Sequence, residues 1–279
     1  MGSARKGAFR RTEISLDTLC AALAYAMGIE APELAAAADR RLCDYVDKAL
    51  GGKKADRIFM YNTDAIGEWV YRKYPHFCTQ AAECAGIEIP LATVMPSVTP
   101  VCFGTMYTGA QPAVHGIQQY EKPVIKIDTL FDALIRAGKK PALLTYTTTS
   151  LGKIYREREM DYYHFETGGI ADVNAKAAEL ILDDKYDVII AYNENFDHIM
   201  HKYGPESPEA LAELRLNCHM FANFYRLIRD NWQDHNTLLG FAMDHGCHEV
   251  DEGSGAHGLD MDEDINIVHL YKAIPKKEN

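Results

Sequence analysis

The sequence predicts an α/β protein built on an open, largely parallel sheet with helices on both faces. Two observations carry this expectation. Short runs rich in branched and aromatic residues recur along the chain, and segments with helical periodicity separate them; strand alternating with helix is the pattern of parallel sheets. With 279 residues and 47% hydrophobic content, the chain can bury one sizeable core or two small ones, and we read residues 1–279 as a single domain with a helical segment at 1–50 packed on it.

Taken in order, residues 15–50 read as two helices, with Ser15 or Asp17 capping the first and "GIEAP" at 28–32 separating them. "RIFMYNT" (57–63) is a strand and "IGEWVYRKY" opens a helix. "GIEIPLATV" (86–94) is a further strand, and the two prolines of "MPSVTP" mark a turn. Then follow "TLFDALIRAG" as helix, "KPALLTY" as strand, "DVNAKAAELILDD" as helix and "YDVIIAY" (186–192) as strand. Residues 207–232 form a long helix, capped by Ser207 with Pro208 just inside. "NTLLGFAM" and "INIVHLY" (265–271) are the last strands.

Forty acidic against 29 basic residues give a net charge of −11, which argues against a nucleic-acid polymer as partner. A small anionic substrate remains compatible where metal ions reverse the local field. Seven scattered cysteines with no C-x-x-C pair argue against a disulfide framework and point to a reducing cytoplasm. Basic residues Arg5, Lys6, Arg10 and Arg11 precede the apolar run 19–27, but Glu13 and Asp17 interrupt it, so we read a helix and not a secretory leader. No run approaches the ~18–20 apolar residues of a membrane span.

In open α/β sheets, ligands sit beyond the carboxyl ends of the strands. Strand 57–63 runs into Asp64, strand 186–192 into a segment holding Asp197 and His201, strand 86–94 toward Ser97 and Thr99, and the "NTLLGFAM" strand into Asp244-His245. Asp244-His245 is either a cap on the next element or half of a metal site. Asp197 and His201, spaced i, i+4, share one helical face and can grip one ion, and Zn²⁺ accepts that mixture of imidazole and carboxylate. A third imidazole would come from His257 in the glycine-rich "GSGAHGLDMDED", or otherwise from His248. His269 lies within a strand, and His198, His219 and His235 are assigned structural or solvent roles.

Five blocks occur in order: "DAIG" after a strand, "TPVCFGTMYTGAQPAVHGI" (99–117), "DHIMHKYGP" (197–205), "DHG" (244–246) and "HG" (257–258). Their succession resembles the alkaline phosphatase superfamily, and within it the type I phosphodiesterase/nucleotide pyrophosphatase branch. The most specific pieces are T-G-x-x-P-x-x-H-G-I (108–117) and D-x-x-x-H-K-Y-G-P, and the blocks span residues 57 to 258. The resemblance implies an alkaline-phosphatase-like catalytic domain with two divalent ions, Zn²⁺ or Mn²⁺. One would be held by Asp197, His201 and His257, the other by Asp64, Asp244 and His245. It further implies Thr99, nine residues before the T-G, as a metal-ligated nucleophile that passes through a phospho-threonine. Coordination favours the alkoxide of an otherwise poor nucleophile, and two ions roughly 3.5–4 Å apart can hold the attacking and leaving oxygens in line.

The family's pyrophosphatases usually carry an Asn shortly after H-G-I, where this chain has Gln118-Gln119-Tyr120-Glu121-Lys122. Gln118, Tyr120 and Lys122 are therefore the candidate substrate contacts. In relatives a helical segment often follows the third His, and residues 8–35 are expected to fill its place here. The expected activity is hydrolysis of a phosphodiester or pyrophosphate in a small, nucleotide-like substrate. Monoester or phosphonate hydrolysis is the alternative within the superfamily; a sulfatase is disfavoured because no C-x-P-x-R surrounds Cys102. A non-catalytic metal- or nucleotide-binding protein is the alternative of another class.

Overall fold

Seven strands lie in the order β2-β9-β6-β1-β5-β3-β4, and only β9 runs against the rest. They are β1 (Arg57–Thr63), β2 (Ile87–Ala92), β3 (Pro141–Tyr146), β4 (Asp161–Phe165), β5 (Val188–Asn193), β6 (Thr237–Met243) and β9 (Asn266–Ile274). A small hairpin, β7 (His248–Val250) and β8 (Ser254–Ala256), stands apart from the sheet. The computed structural model describes residues 12–166, 169–250 and 253–278.

Helices cover both faces, as the alternating pattern predicts. On one side lie α1 (Thr18–Met27), α2 (Arg40–Ala49), α5 (Thr99–Thr108), α7 (Leu130–Arg136) and α8 (Ser150–Ile154), with α6 (Pro112–His115) beside α5. On the other lie α3 (Glu68–Lys73), α4 (Pro75–Cys84), α9 (Ile170–Asp183), α10 (Asn195–Tyr203) and α11 (Pro208–Asn231). A last turn, α12 (Asp262–Ile265), leads into β9. Strand alternation sorts β1 between these layers. Phe59 and Tyr61 pack on Phe224 of α11, with ring centroids 4.8 and 5.3 Å apart, while Asn62 on the opposite face accepts the Tyr107 hydroxyl of α5 at 2.6 Å.

The register positions the site. Thr63 pairs with Asn193 on one side and Met243 on the other, so β1, β5 and β6 end flush. Whatever follows these strands emerges at one edge, and that is where Asp64, the Glu194–Asp197 segment and Asp244 stand.

Two sequence expectations need correcting in detail. The alanine-rich stretch after Pro32 is not helical, and α2 begins only at Arg40, where Asp39 caps the Arg41 N–H. The reason is tertiary: Ala36 N–H donates 2.7 Å to the Gly109 carbonyl, a bond outside any helix, and Ala35 lies against Gly109. The proline-marked segment bends at Met95 and Pro96 as expected, but its last two residues, Thr99 and Pro100, open α5, a helix the sequence does not announce. All ten of its residues are buried, so it shows none of the periodicity that announces a helix.

At the outer edge of β2, Ser15 bridges to Ala92, whose N–H and C=O are taken by Ile14 and Leu16 at 2.7 and 2.9 Å. The next outward carbonyl, that of Pro90, accepts from the Arg41 guanidinium at 3.2 Å. Ala92 pairs on its other side with Asn266, so β2 separates this part of the 8–35 segment from the chain that follows His257; residues 8–11 lie outside the described ones.

Candidate metal centre

Two clusters form at the carboxyl edge, and they are the two sets the resemblance implies. In the first, the Nε2 atoms of His201 and His257 both lie 3.3 Å from Asp197 Oδ1. In the second, His245 Nε2 lies 3.3 Å from Asp64 Oδ1 and 3.4 Å from Asp244 Oδ2. Within each set the ligand atoms fall within 4.8 Å of one another. The sets adjoin: the His245 and His257 rings stack with centroids 4.1 Å apart. The second set is fully buried, whereas His201 in the first is exposed, so the centre opens to solvent on the first set's side.

The local fold explains each placement. Asn193, ending β5, accepts the Asn195 N–H through its side chain at 2.9 Å and so starts α10, which presents Asp197 and His201 one turn apart. His257 follows β8, whose backbone passes so close to α10 that a Cβ at Gly255 would lie 2.6 Å from Met200 Sδ. Thr99 is the first residue of α5, at the positive end of that helix's dipole. Its Oγ stands 3.5 Å from Asp64 Oδ2 and 3.4 Å from His245 Nε2.

The hydrogen bonds decide whether these residues suit a cation. Each of the three imidazoles lies with Nδ1 2.9 Å from a backbone carbonyl: His201 to Gly255, His257 to Ser97, His245 to Gly246. A carbonyl only accepts, so Nδ1 carries the hydrogen and, in the neutral ring, Nε2 offers a bare lone pair. Those lone pairs face Asp64 Oδ1, Asp197 Oδ1 and Asp244 Oδ2, three buried carboxylate oxygens with no hydrogen-bond donor. Lone pair against lone pair is repulsive unless a metal ion or an added proton lies between, and an Nδ1–H fixed by a carbonyl is the usual support of a metal-ligating His. The donor set, three imidazole nitrogens and three carboxylates, fits a divalent ion of the Zn²⁺ or Mn²⁺ type.

The other carboxylate oxygens are held in place. Asp244 Oδ1 accepts the N–H groups of Ala65 and His245 at 3.1 and 2.9 Å, and Asp64 Oδ2 accepts the Tyr192 hydroxyl. Without a cation the group is electrostatically frustrated. Burial, and then the charges of Asp244 and Asp197, push the Asp64 carboxyl well above its usual range. Burial raises Asp244 to about 7 and, with the neighbouring His257 charge, drives His245 down to about 3. Burial also works against ionised Asp197. Without a metal ion, however, that carboxylate draws protons onto the facing Nε2 atoms of His201 and His257, raising both imidazoles, and their charges hold the Asp197 carboxyl below its ordinary value.

The remaining candidates fall elsewhere. His248 belongs to neither set; its Nδ1 pairs with Asp264 Oδ1 at 2.7 Å. His269 is buried within β9, and His235 contacts Asp184 at 2.8 Å. Gln118 and Tyr120 stand exposed on the loop after α6; Lys122 lies 5.3 Å over the Tyr120 ring and donates to the Thr148 carbonyl at 3.2 Å. Burial raises the Glu194 carboxyl at the start of α10, and the Lys122 charge opposes it. Sequence reasoning missed Tyr192, read only as the end of a strand, and Asp264, one acid in an acidic run.

A parallel sheet delivering Asp and His sets at its carboxyl edge, with a Thr at a helix start between them, is the architecture of the alkaline phosphatase superfamily. Residues 62–273 match the profile of the family described as Type I phosphodiesterase / nucleotide pyrophosphatase, and the chain belongs to that family. Human ectonucleotide pyrophosphatase / phosphodiesterase 5 has a similar structure, with a TM-score of 0.57 and 18% identity over 70% of this chain and 58% of that one. An inactive Thr-to-Ala variant of the murine protein, in complex with AMP, gives 0.55 and 18% over 71% and 59%. Phosphonoacetate hydrolase from Sinorhizobium meliloti 1021, in complex with phosphonoformate, gives 0.52 and 19% over 74% and 61%. The chain thus covers 58 to 61% of the length of these proteins. No curated protein matches the sequence. Among the described residues no helix is long and apolar enough to cross a membrane.

Proposed function

We propose that this protein hydrolyses a phosphodiester or pyrophosphate bond in a small, nucleotide-like substrate, with Thr99 as nucleophile and two divalent ions, Zn²⁺ or Mn²⁺. The observation that carries this reading is the set of three imidazole lone pairs turned on three carboxylate oxygens that lack a donor. Asp197, His201 and His257 would hold one ion; Asp64, Asp244, His245 and the Thr99 oxygen would hold the other. The ions would favour the Thr99 alkoxide and neutralise the phosphoryl and leaving oxygens.

The chain's residues do the rest by position. Three carboxylates contribute three negative charges and two divalent ions would supply four positive ones, leaving one net positive charge while Thr99 keeps its proton, enough to draw an anion into an otherwise acidic protein. Thr99 Oγ bonds to phosphorus as the leaving oxygen departs and takes up a proton, giving phospho-threonine. Water then attacks phosphorus from the same exposed side, the Thr99 oxygen is released and regains its hydrogen, and the phosphate leaves with its remaining substituent, as a monoester. The α5 amino end favours negative charge at Thr99 in both steps. Gln118, Tyr120 and Lys122, on the loop after α6, contact the substrate outside the reacting phosphoryl group. AMP and phosphonoformate in the similar structures are both small phosphorus-bearing anions, which supports a small substrate. All seven cysteines are free, in keeping with a cytoplasmic setting.

The test is metal content together with hydrolysis of bis(p-nitrophenyl) phosphate and p-nitrophenyl phosphate, wild type beside Thr99→Ala. We expect about two ions per chain in both proteins, with diester cleavage dominant and lost in the variant. Dominant monoester cleavage would move the assignment to a phosphatase; bound metal with neither activity would favour a binding role. Full activity in Thr99→Ala would refute the nucleophile.

A further inference from the structure

The α12 turn is where the loops behind both ligand sets meet. Gly67 follows Asp64, Gly246 follows His245, and both pack against Glu263: a Cβ at Gly67 would lie 2.9 Å from the Glu263 carbonyl oxygen, and one at Gly246 only 2.0 Å. Gly246 N–H donates to the Asp264 carbonyl at 2.8 Å. The Asp264 side chain reaches in two directions. Its Oδ1 meets His248 Nδ1 at 2.7 Å, three residues past His245, and its Oδ2 accepts the Leu259 N–H at 2.9 Å, two residues past His257. Its carboxyl is wholly buried, and His248 is 11% exposed.

We infer that Asp264 is a positioning residue that ties the loop of Asp244 and His245 to the loop of His257, so that the two ligand sets are held at a fixed separation and fill cooperatively. This rests on the two-ion reading above. Packing alone could join two loops with apolar side chains, and a buried carboxylate is a costly way to do it. What the carboxylate adds is direction: two oxygens at a fixed angle, each holding a different loop. Ordering one loop therefore lowers the entropy still to be lost by the other, which is positive coupling between sites.

Metal-free protein titrated calorimetrically with Zn²⁺ tests this. Wild type should take up two equivalents cooperatively. Asp264→Ala should weaken both, each by about 10–100-fold, the usual effect of removing a partner behind the ligands, and binding should become non-cooperative. Asp264→Asn should recover most of the loss, because its amide oxygen can accept from Leu259 while its NH₂ donates to the other tautomer of His248. His248→Ala should weaken chiefly the Asp64, Asp244 and His245 set. Circular dichroism and melting of the chelated variants check that each is folded. A folded Asp264→Ala that binds both ions like wild type, or weakens one set alone, overturns the inference. Should Asp264→Ala fail to fold, His248→Ala decides: wild-type binding there also overturns it. Wild type that binds no Zn²⁺ overturns the two-ion reading itself, a distinct result.

Discussion

The Tyr192 hydroxyl donates a hydrogen bond to Asp64 Oδ2, leaving Oδ1 as the oxygen that faces His245. The ring is fixed by an edge-on contact with Phe103, 5.0 Å between centroids at 83°. Tyr192 thus chooses which carboxylate oxygen is available to a cation. In Tyr192→Phe the ring stays and the choice is lost. We expect binding at the Asp64 set to weaken by about 10–100-fold, read as faster metal loss to a chelator. Wild-type retention would show that Asp64 needs no such support.

Gly246→Ala tests the close approach of backbone to backbone. The added methyl would meet the Glu263 carbonyl oxygen, and rigid main chain on both sides cannot yield cheaply. Overpacking of this kind costs about 1–3 kcal/mol or more, so both the melting temperature and the metal content should fall. A variant with wild-type stability and two bound ions would mean that the loop shifts freely.

Metal removal should itself destabilise the protein. Ions that bind only the folded chain contribute about 2.7 kcal/mol per site at a hundredfold excess over Kd, which corresponds to roughly 5 °C or more in Tm. Calorimetric scans before and after chelation, with Zn²⁺ added back, measure the shift. An unchanged Tm would contradict filled sites in the folded protein.

His269 gives a pH dependence of known sign. Its Nε2 donates to the Met243 carbonyl at 2.7 Å, and its Nδ1 lies 2.9 Å from the Tyr271 hydroxyl, so the buried ring is satisfied when neutral. Burial lowers its pKa to about 4 from an ordinary 6.5. Between those values the unfolded chain binds more protons than the folded one. Its contribution to stability is therefore complete above about pH 6.5 and lost as pH falls toward 4, with a slope of up to about 1.4 kcal/mol per pH unit. His269→Gln keeps a donor for Met243 and does not titrate. Denaturant melts of chelated protein should show the gap between wild type and variant narrowing with acidification; a constant gap would refute the assignment.

Most of the framework was legible because its signals are local. The runs at 57–63 and 186–192 are apolar and β-branched, and β1 and β5 occupy those places. Asp64, Asp197, His201, Asp244 and His245 were readable because they follow strand ends, His257 was one of two candidates until the family resemblance singled it out, and the structure brings the six together. The sequence was silent where the decisive contact is distant. The helix start at Thr99 lies in a fully buried segment, the fate of 33–39 is set by Gly109, and Asp264 differs from its acidic neighbours only through partners five and sixteen positions away.

The rim of β2 has a consequence of its own. A row of free amide and carbonyl groups along a sheet margin is a template on which another chain can crystallise a strand, the first step toward fibrils. Here Pro90 has no N–H to offer, its oxygen is occupied by Arg41, and Ala92 is closed by the 14–16 segment. The far margin, β4, is only five residues long. The 90–92 stretch of the β2 margin is therefore closed to an incoming strand, and Arg41→Ala, which uncovers the Pro90 oxygen, is the substitution that would begin to unseal it.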